Sequence, residues 1–113
     1  MRNNNKFGAQ KTEYAGEAYD SKAEADFAAE LDLLKAARNP KERVERWERQ
    51  VKYEVKVNGK KICDYFLDFR VWYTSGVIRN YDVKGYKGGA AYQLFRIKKK
   101  LVEATHGIYI DEV

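Results

Sequence analysis

The sequence predicts an α/β protein, with a small mixed sheet of α+β type flanked by helices in the order α-β-β-β-α-β. Three features point there. Val51, Tyr53, Val55 and Val57 alternate with Lys52, Glu54 and Lys56, the period of a half-buried strand, and Asn58-Gly59 follows as a hairpin turn. Segments with apolar residues at helical spacing lie before and after this hairpin. Gly107 then separates the second of them from a short apolar run that ends the order.

Taken in order, residues 11–19 alternate weakly around Ala15-Gly16 and suit a short hairpin. Asp20-Ser21 offers N-cap chemistry, and Glu24, three residues after Ser21, completes a capping box. The first helix is expected to run to about residue 37, with Phe27, Ala28, Leu31 and Leu34 as its apolar stripe. Asn39-Pro40 closes it. Residues 44–49 fit either a helical turn or a strand. After the strand at 51–57, a second is expected at 61–73, a turn at Thr74-Ser75-Gly76, and a third strand at 77–84. Residues 85–89 form a flexible loop. The second helix spans about 90–105, with Leu94, Ile97, Leu101 and Ala104 inward and Arg96, Lys99, Lys100 and Glu103 outward. Residues 108–113 make the last strand.

The whole chain of 113 residues reads as one domain, with residues 1–10 as a flexible polar arm. Aromatic residues make up 14%, including nine Tyr, which argues for a folded chain. A single Cys and a single His leave no material for a disulfide framework, a Cys/His zinc site or a Cys-x-x-Cys motif. No apolar run approaches the roughly 18 residues of a membrane span, and no apolar signal core opens the chain. The expectation is a soluble, cytoplasmic protein without a membrane partner. The net charge is +5, and it is local. Residues 83–102 hold Lys84, Lys87, Arg96, Lys98, Lys99 and Lys100 and no acid, so the remainder of the chain sums to −1. Such a stretch suits a phosphate backbone, although a solvated helix face would carry the same charges.

Strand register gathers the acids. With Asn58 and Gly59 as turn residues, Val57 pairs with Lys60, Val55 with Ile62, Tyr53 with Asp64 and Val51 with Phe66, so Asp64 and Asp68 share the face of the apolar stripe. A three-residue turn at Thr74-Ser75-Gly76 pairs Trp72 with Ile78, Arg70 with Asn80 and Asp68 with Asp82, and puts Lys84 opposite Phe66. A two-residue turn would separate Asp68 from Asp82. Opposed carboxylates repel unless a cation lies between them. Glu24 heads the stripe of the first helix and points toward the same sheet, a position compatible with its capping role. Three carboxylates and a lysine suit a hard divalent cation such as Mg²⁺, which takes oxygen ligands and shares them with substrate phosphate.

These residues resemble the PD-(D/E)XK nuclease superfamily, and within it a family of short phage and prophage proteins. The resemblance rests on Asp20-Ser21-Lys22-Ala23-Glu24-Ala25, Tyr65-Phe66-Leu67-Asp68-Phe69, Asp82-Val83-Lys84-Gly85 and Tyr109-Ile110-Asp111-Glu112-Val113, with Asn5-Lys6-Phe7-Gly8 and Lys11-Thr12-Glu13 in support. It implies a restriction-endonuclease-like αβββαβ core and metal-dependent phosphodiester cleavage. By position, Asp68 and Asp82 would hold Mg²⁺, with Mn²⁺ as a substitute. Glu24 would be the additional helix acid and a third ligand, and Lys84 would position or activate the water. The proline that names the motif is absent, and Leu67 stands before Asp68. By analogy with short basic members, the expected substrate is branched DNA, cut in the manner of a Holliday-junction resolvase by a homodimer in the host cytoplasm.

Lys87, Tyr92, Arg96, Lys99 and Lys100 are the candidate nucleic-acid contacts, with Tyr86 and Tyr92 as candidates for base stacking. His106 reads as a helix-end residue, Cys63 as packing, and Asp64 as either a supporting acid or a strand-end residue. Asp111 and Glu112 are expected to face solvent. The alternative function is a non-catalytic nucleic-acid-binding module that uses residues 83–102.

Overall fold

The computed structural model describes residues 11–84 and 87–113. The expectations for the arm at 1–10, for Asn5-Lys6-Phe7-Gly8, and for Gly85 and Tyr86 lie outside the described residues. A small hairpin opens the chain, β1 (Thr12–Tyr14) and β2 (Glu17–Tyr19), turning at Ala15 and Gly16, which both take positive φ. Helix α1 (Lys22–Leu33) follows and tightens into a 3-10 turn at Leu34–Ala36. Ser21 caps α1 by accepting the Glu24 backbone N–H at 3.2 Å.

The main sheet has four strands in the order β3-β4-β5-β6: β3 (Val44–Val57), β4 (Lys60–Tyr73), β5 (Ile78–Asp82) and β6 (Ile110–Glu112). The first three pair antiparallel, and β6 lies parallel to β5. A parallel neighbour needs a crossover, and helix α2 (Gly89–His106) supplies it. The mixed α/β architecture and the α-β-β-β-α-β order are therefore present. Gly107 ends α2 in the left-handed conformation, at φ 67°. Among the described residues, no helix is long and apolar enough to cross a membrane.

Residues 44–49, ambiguous by sequence, are the first half of β3. Apolar Val44 and Trp47 are both drawn into the core beneath α1, which outweighs the weak local pattern. The Asn58-Gly59 turn pairs Val57 with Lys60 as expected, but the register then slips. Ile62 is an extra residue, so Val55 pairs with Cys63, Tyr53 with Tyr65 and Val51 with Leu67. Asp64 consequently faces Glu54 rather than Tyr53, and the expectation that Asp64 shares the apolar stripe is corrected. A bulge of this kind leaves no turn signature.

Two core clusters hold the helices on the sheet. Tyr19, Ala25, Ala28, Leu31, Val44, Phe69 and Val71 form one, beneath α1. Val55, Tyr65, Leu67, Val102 and Ile110 form the other, beneath α2. Leu67 and Phe69 are two residues apart on β4 yet join different clusters, so Asp68 sits at the changeover. The ladder passes directly from the Arg49–Phe69 pair to Val51–Leu67, and Gln50, between them, takes a positive φ of 53°.

The inward stripe expected on α2 is displaced by one position. Leu94 and Ile97 are 53% and 58% exposed and Ala104 is exposed, whereas Val102 is fully buried and Phe95 packs beside it. The rotation follows from Tyr92 and Lys99, which turn inward to bond Glu112 on β6.

Candidate active site

The β4–β5 ladder runs Trp72–Ile78, Arg70–Asn80, Phe69–Tyr81, the register a three-residue turn requires. One step further along, Asp68 and Asp82 meet. The Asp68 backbone N–H donates to Asp82 Oδ1 at 3.2 Å, and the Val83 N–H donates to Asp68 Oδ2 at 2.9 Å. The two acids therefore face each other where β5 ends and its neighbours splay. Val113 fastens that end from the other side, donating its N–H to the Asp82 carbonyl at 2.8 Å and accepting the Lys84 N–H at 3.0 Å.

Asp82 is 2% exposed, and its Oδ2 is buried with no hydrogen-bond partner among the described residues. Burial pushes its carboxyl up to about 6, against the pull of the Lys84 ammonium and the Asp68 N–H. Burial also raises Asp68, opposed by the Val83 N–H, Lys84 and Gln50. Glu24 is pushed up to about 7, first by burial and then by the charges of Asp68 and Asp20, with Arg49 and Lys84 opposing. Lys84 thus acts on all three carboxyls, and Glu24 and Asp68 repel. The Glu24 backbone serves the α1 cap, while its carboxylate makes no hydrogen bond among the described residues and remains available to the cluster.

Lys84 does not lie opposite Phe66. Strand β5 stops at Asp82, and Phe66 pairs instead with Lys52. The Lys84 ammonium sits 3.9 Å from the centre of the Phe95 ring, a cation–π contact that holds it over the start of α2.

The donor set has the chemistry that a hard divalent cation would take. A buried carboxylate oxygen without a partner and three carboxyls displaced toward protonation describe a place short of positive charge. Among the described residues, no group of three or more Asp, Glu, His or Cys side chains is placed to hold a metal ion as it stands. Mg²⁺ asks for less, because it keeps waters and shares one or two carboxylates with phosphate oxygens. Asp68, Asp82 and Glu24 are the residues that would hold it.

The candidate nucleic-acid contacts divide. Lys87, Arg96 and Lys100 are exposed at and along α2. Tyr92 and Lys99 are committed to Glu112, at 2.7 and 3.2 Å, and Lys99 reaches Glu103 at 4.0 Å. Glu112 is correspondingly not solvent-facing. Its carboxyl is held below the usual range, chiefly by the Tyr92 hydroxyl and also by Lys99. Asp111 is half-buried and pairs with Arg79 at 3.6 Å. His106 ends α2, with Nε2 2.8 Å from the Glu54 carbonyl and its ring against Tyr53, and Cys63 packs with the α2 cluster. Asp64 is bonded by Lys61 at 3.1 Å, away from the Asp68–Asp82 pair.

Gln50 is the residue the sequence reading overlooked. Its amide donates to Asp68 Oδ1 at 3.4 Å from a backbone conformation that residues other than glycine rarely adopt. Asn, Asp and Gly are the usual signals for that conformation, so Gln50 carried none.

A family model described as "Protein of unknown function (DUF1064)" matches residues 4–111. No curated protein and no solved structure matches the chain at a significant level.

Proposed function

The chain belongs to the DUF1064 family, and we propose that it is a divalent-metal-dependent nuclease that hydrolyses phosphodiester bonds of DNA. One observation carries the reading: an oxygen on Asp82, beside Asp68, that is buried and has no partner among the described residues, within the field of one lysine. Such an arrangement opposes stability, and binding a cation gives it a purpose. The likeness to the PD-(D/E)XK pattern supports the same roles.

Asp68 and Asp82 would hold Mg²⁺ or Mn²⁺, with Glu24 completing the acidic side. When bound, the cation polarises a phosphoryl oxygen and lowers the pKa of a water. Lys84, whose ammonium rests on the Phe95 ring and whose backbone is fastened to Val113, would bring its charge to the same space. There it orients the water and offsets charge that develops on the phosphate. Gln50 holds Asp68 in place through Oδ1. Lys87, Arg96 and Lys100 would take the flanking phosphates. Branched DNA as substrate, action as a homodimer and a cytoplasmic setting in the host belong to the same proposal, on analogy with short nucleases of this pattern.

The test is a panel of linear, nicked, flap and four-way DNAs with Mg²⁺ or Mn²⁺, using wild type and Asp82→Asn side by side. Cutting by the wild type alone, with DNA affinity retained by the variant, is the expected result. A folded wild type that cuts none of them sinks the proposal. Salt-sensitive binding that ignores Asp68→Ala and Asp82→Ala would instead mark a non-catalytic nucleic-acid-binding module, which the exposed cations of α2 alone could support.

A further inference from the structure

On the β4–β5 surface beyond the acidic pair lies a groove of about 620 Å³, on the scale of sites that enclose small ligands. Tyr53, Trp72 and Tyr109 supply aromatic rings to it, Ile78 an apolar floor, and Arg70 a guanidinium group. Trp72 lies across from Ile78, and Arg70 across from Asn80, so the groove follows the ladder that ends at Asp68 and Asp82. Ile78, Asn80 and Asp82 alternate onto one face of β5, and at ~3.3 Å per residue the groove begins at Asn80, about 7 Å from the acids.

The groove is chemically incomplete. Tyr109 is 69% exposed and Ile78 53%, a costly display of apolar surface unless something covers it. Arg70 stands near both the Tyr53 ring, at 5.3 Å, and the Trp72 ring, at 5.9 Å. Its Nε donates to the Asn80 side chain at 3.3 Å, and Asn80 is itself anchored on the Tyr109 carbonyl. Among the described residues no carboxylate pairs with Arg70, so its terminal nitrogens keep donors for an anion. Arg79 alternates to the other face of β5, where it pairs with the half-buried Asp111 at 3.6 Å. An exposed ring beside a guanidinium held by Asn80 matches a base and its neighbouring phosphate, with no requirement for a particular base.

We propose that this groove binds an unpaired nucleic-acid strand, with a base stacked on Tyr109 and the neighbouring phosphate on Arg70. It rests on the nuclease reading only in naming what the acidic pair would cut: a substrate whose single-stranded arm begins close to the scissile bond. A second copy of this chain is the competing occupant, and the favoured occupant is the strand because Arg70, which no carboxylate pairs among the described residues, calls for an anion.

Binding is measured by fluorescence anisotropy of a labelled oligothymidine and of a labelled duplex, in the Asp82→Asn background so that nothing is cut. Tyr109→Ala and Arg70→Gln are each expected to weaken the single strand about tenfold and the duplex less than about twofold. Lys87→Ala, outside the groove, serves as the control that weakens both alike. Unchanged single-strand affinity in Tyr109→Ala, or an equal loss on both probes, overturns the proposal. So does a parent protein that sediments as a dimer and a Tyr109→Ala variant that sediments as a monomer, which would assign the groove to a second copy. Tyr109 is exposed enough that its truncation should leave the melting temperature in place, which keeps the test decisive if Arg70→Gln disturbs the sheet. Cleavage is assayed separately with Asp82 intact, so absence of cutting refutes the nuclease without touching the groove.

Discussion

Asp82→Asn should make the metal-free protein more stable at pH 8. The Asp82 carboxyl is 2% exposed, has one oxygen unbonded among the described residues, and is pushed by burial from 3.8 up to about 6. The folded state therefore binds this proton more tightly than the unfolded chain does. Stability from that preference is fully present below the unfolded value and is lost as pH rises through about 6. The difference corresponds to about 3 kcal/mol at pH 8, taking ~1.4 kcal/mol for each tenfold change. Asparagine keeps an oxygen to accept the Asp68 N–H, but it buries an amide with its own desolvation cost of about 1–3 kcal/mol. The net gain should be up to about 2 kcal/mol, or up to about 8 °C in melting temperature for a chain of this size. Circular-dichroism melts in EDTA at pH 8 and pH 4.5 measure it, and the gap between variant and wild type should close at the lower pH. A variant that melts lower than wild type at pH 8, or a gap that ignores pH, would refute the account of Asp82 as a strained, desolvated charge.

Further outcomes follow from the same geometry. Mg²⁺ at pH 8 should raise the melting temperature of the wild type and leave Asp82→Asn unmoved, since a ligand stabilises only the state that binds it; differential scanning fluorimetry across a magnesium titration reads this. Lys84→Met should lower cleavage by at least about a hundredfold in a gel-based assay while preserving the Mg²⁺-dependent rise in melting temperature, because the ammonium acts on water and phosphate rather than on the cation. Phe69→Ala should cost about 3–5 kcal/mol in urea unfolding, since Phe69 is 1% exposed and its ring meets those of Tyr19, Phe27 and Trp47. Gly107→Ala should cost about 1 kcal/mol in the same experiment; a Cβ there meets nothing within 4 Å, so the penalty is that of the left-handed backbone alone.

The features legible from sequence were those written in local chemistry. Ser21, Asn58-Gly59 and Gly107 each announce a boundary by the backbone they permit, and all three lie where expected. The Asp68–Asp82 opposition was legible because the turn at Thr74-Ser75-Gly76 sets the register of a short ladder with no irregularity in it. The longer β3–β4 hairpin defeated the same reasoning at Ile62, where an extra residue shifts every later partner and moves Asp64 off the apolar stripe. On α2, a one-position rotation exchanged Leu94 and Ile97 for Phe95 and Val102. Its cause, the bonds from Tyr92 and Lys99 to Glu112, spans residues 92 to 112 and appears in no local pattern. Gln50 and Arg70 stayed hidden for a similar reason, since their roles depend on partners that only the folded sheet supplies.

The left-handed residue at Gln50 has a second bearing, on solubility. β3 forms one edge of the main sheet over fourteen residues, long enough to template the addition of a foreign strand. It is not a smooth template. A register shift between Val44 and Arg46 interrupts its start, Gln50 breaks the ladder near the middle, and Glu45, Arg46, Glu48, Lys52, Glu54 and Lys56 present exposed charge of both signs along it. An incoming strand would have to match two irregularities and that pattern of charges at once. The irregularity that brings an amide to Asp68 therefore also guards the molecule against edge-to-edge aggregation.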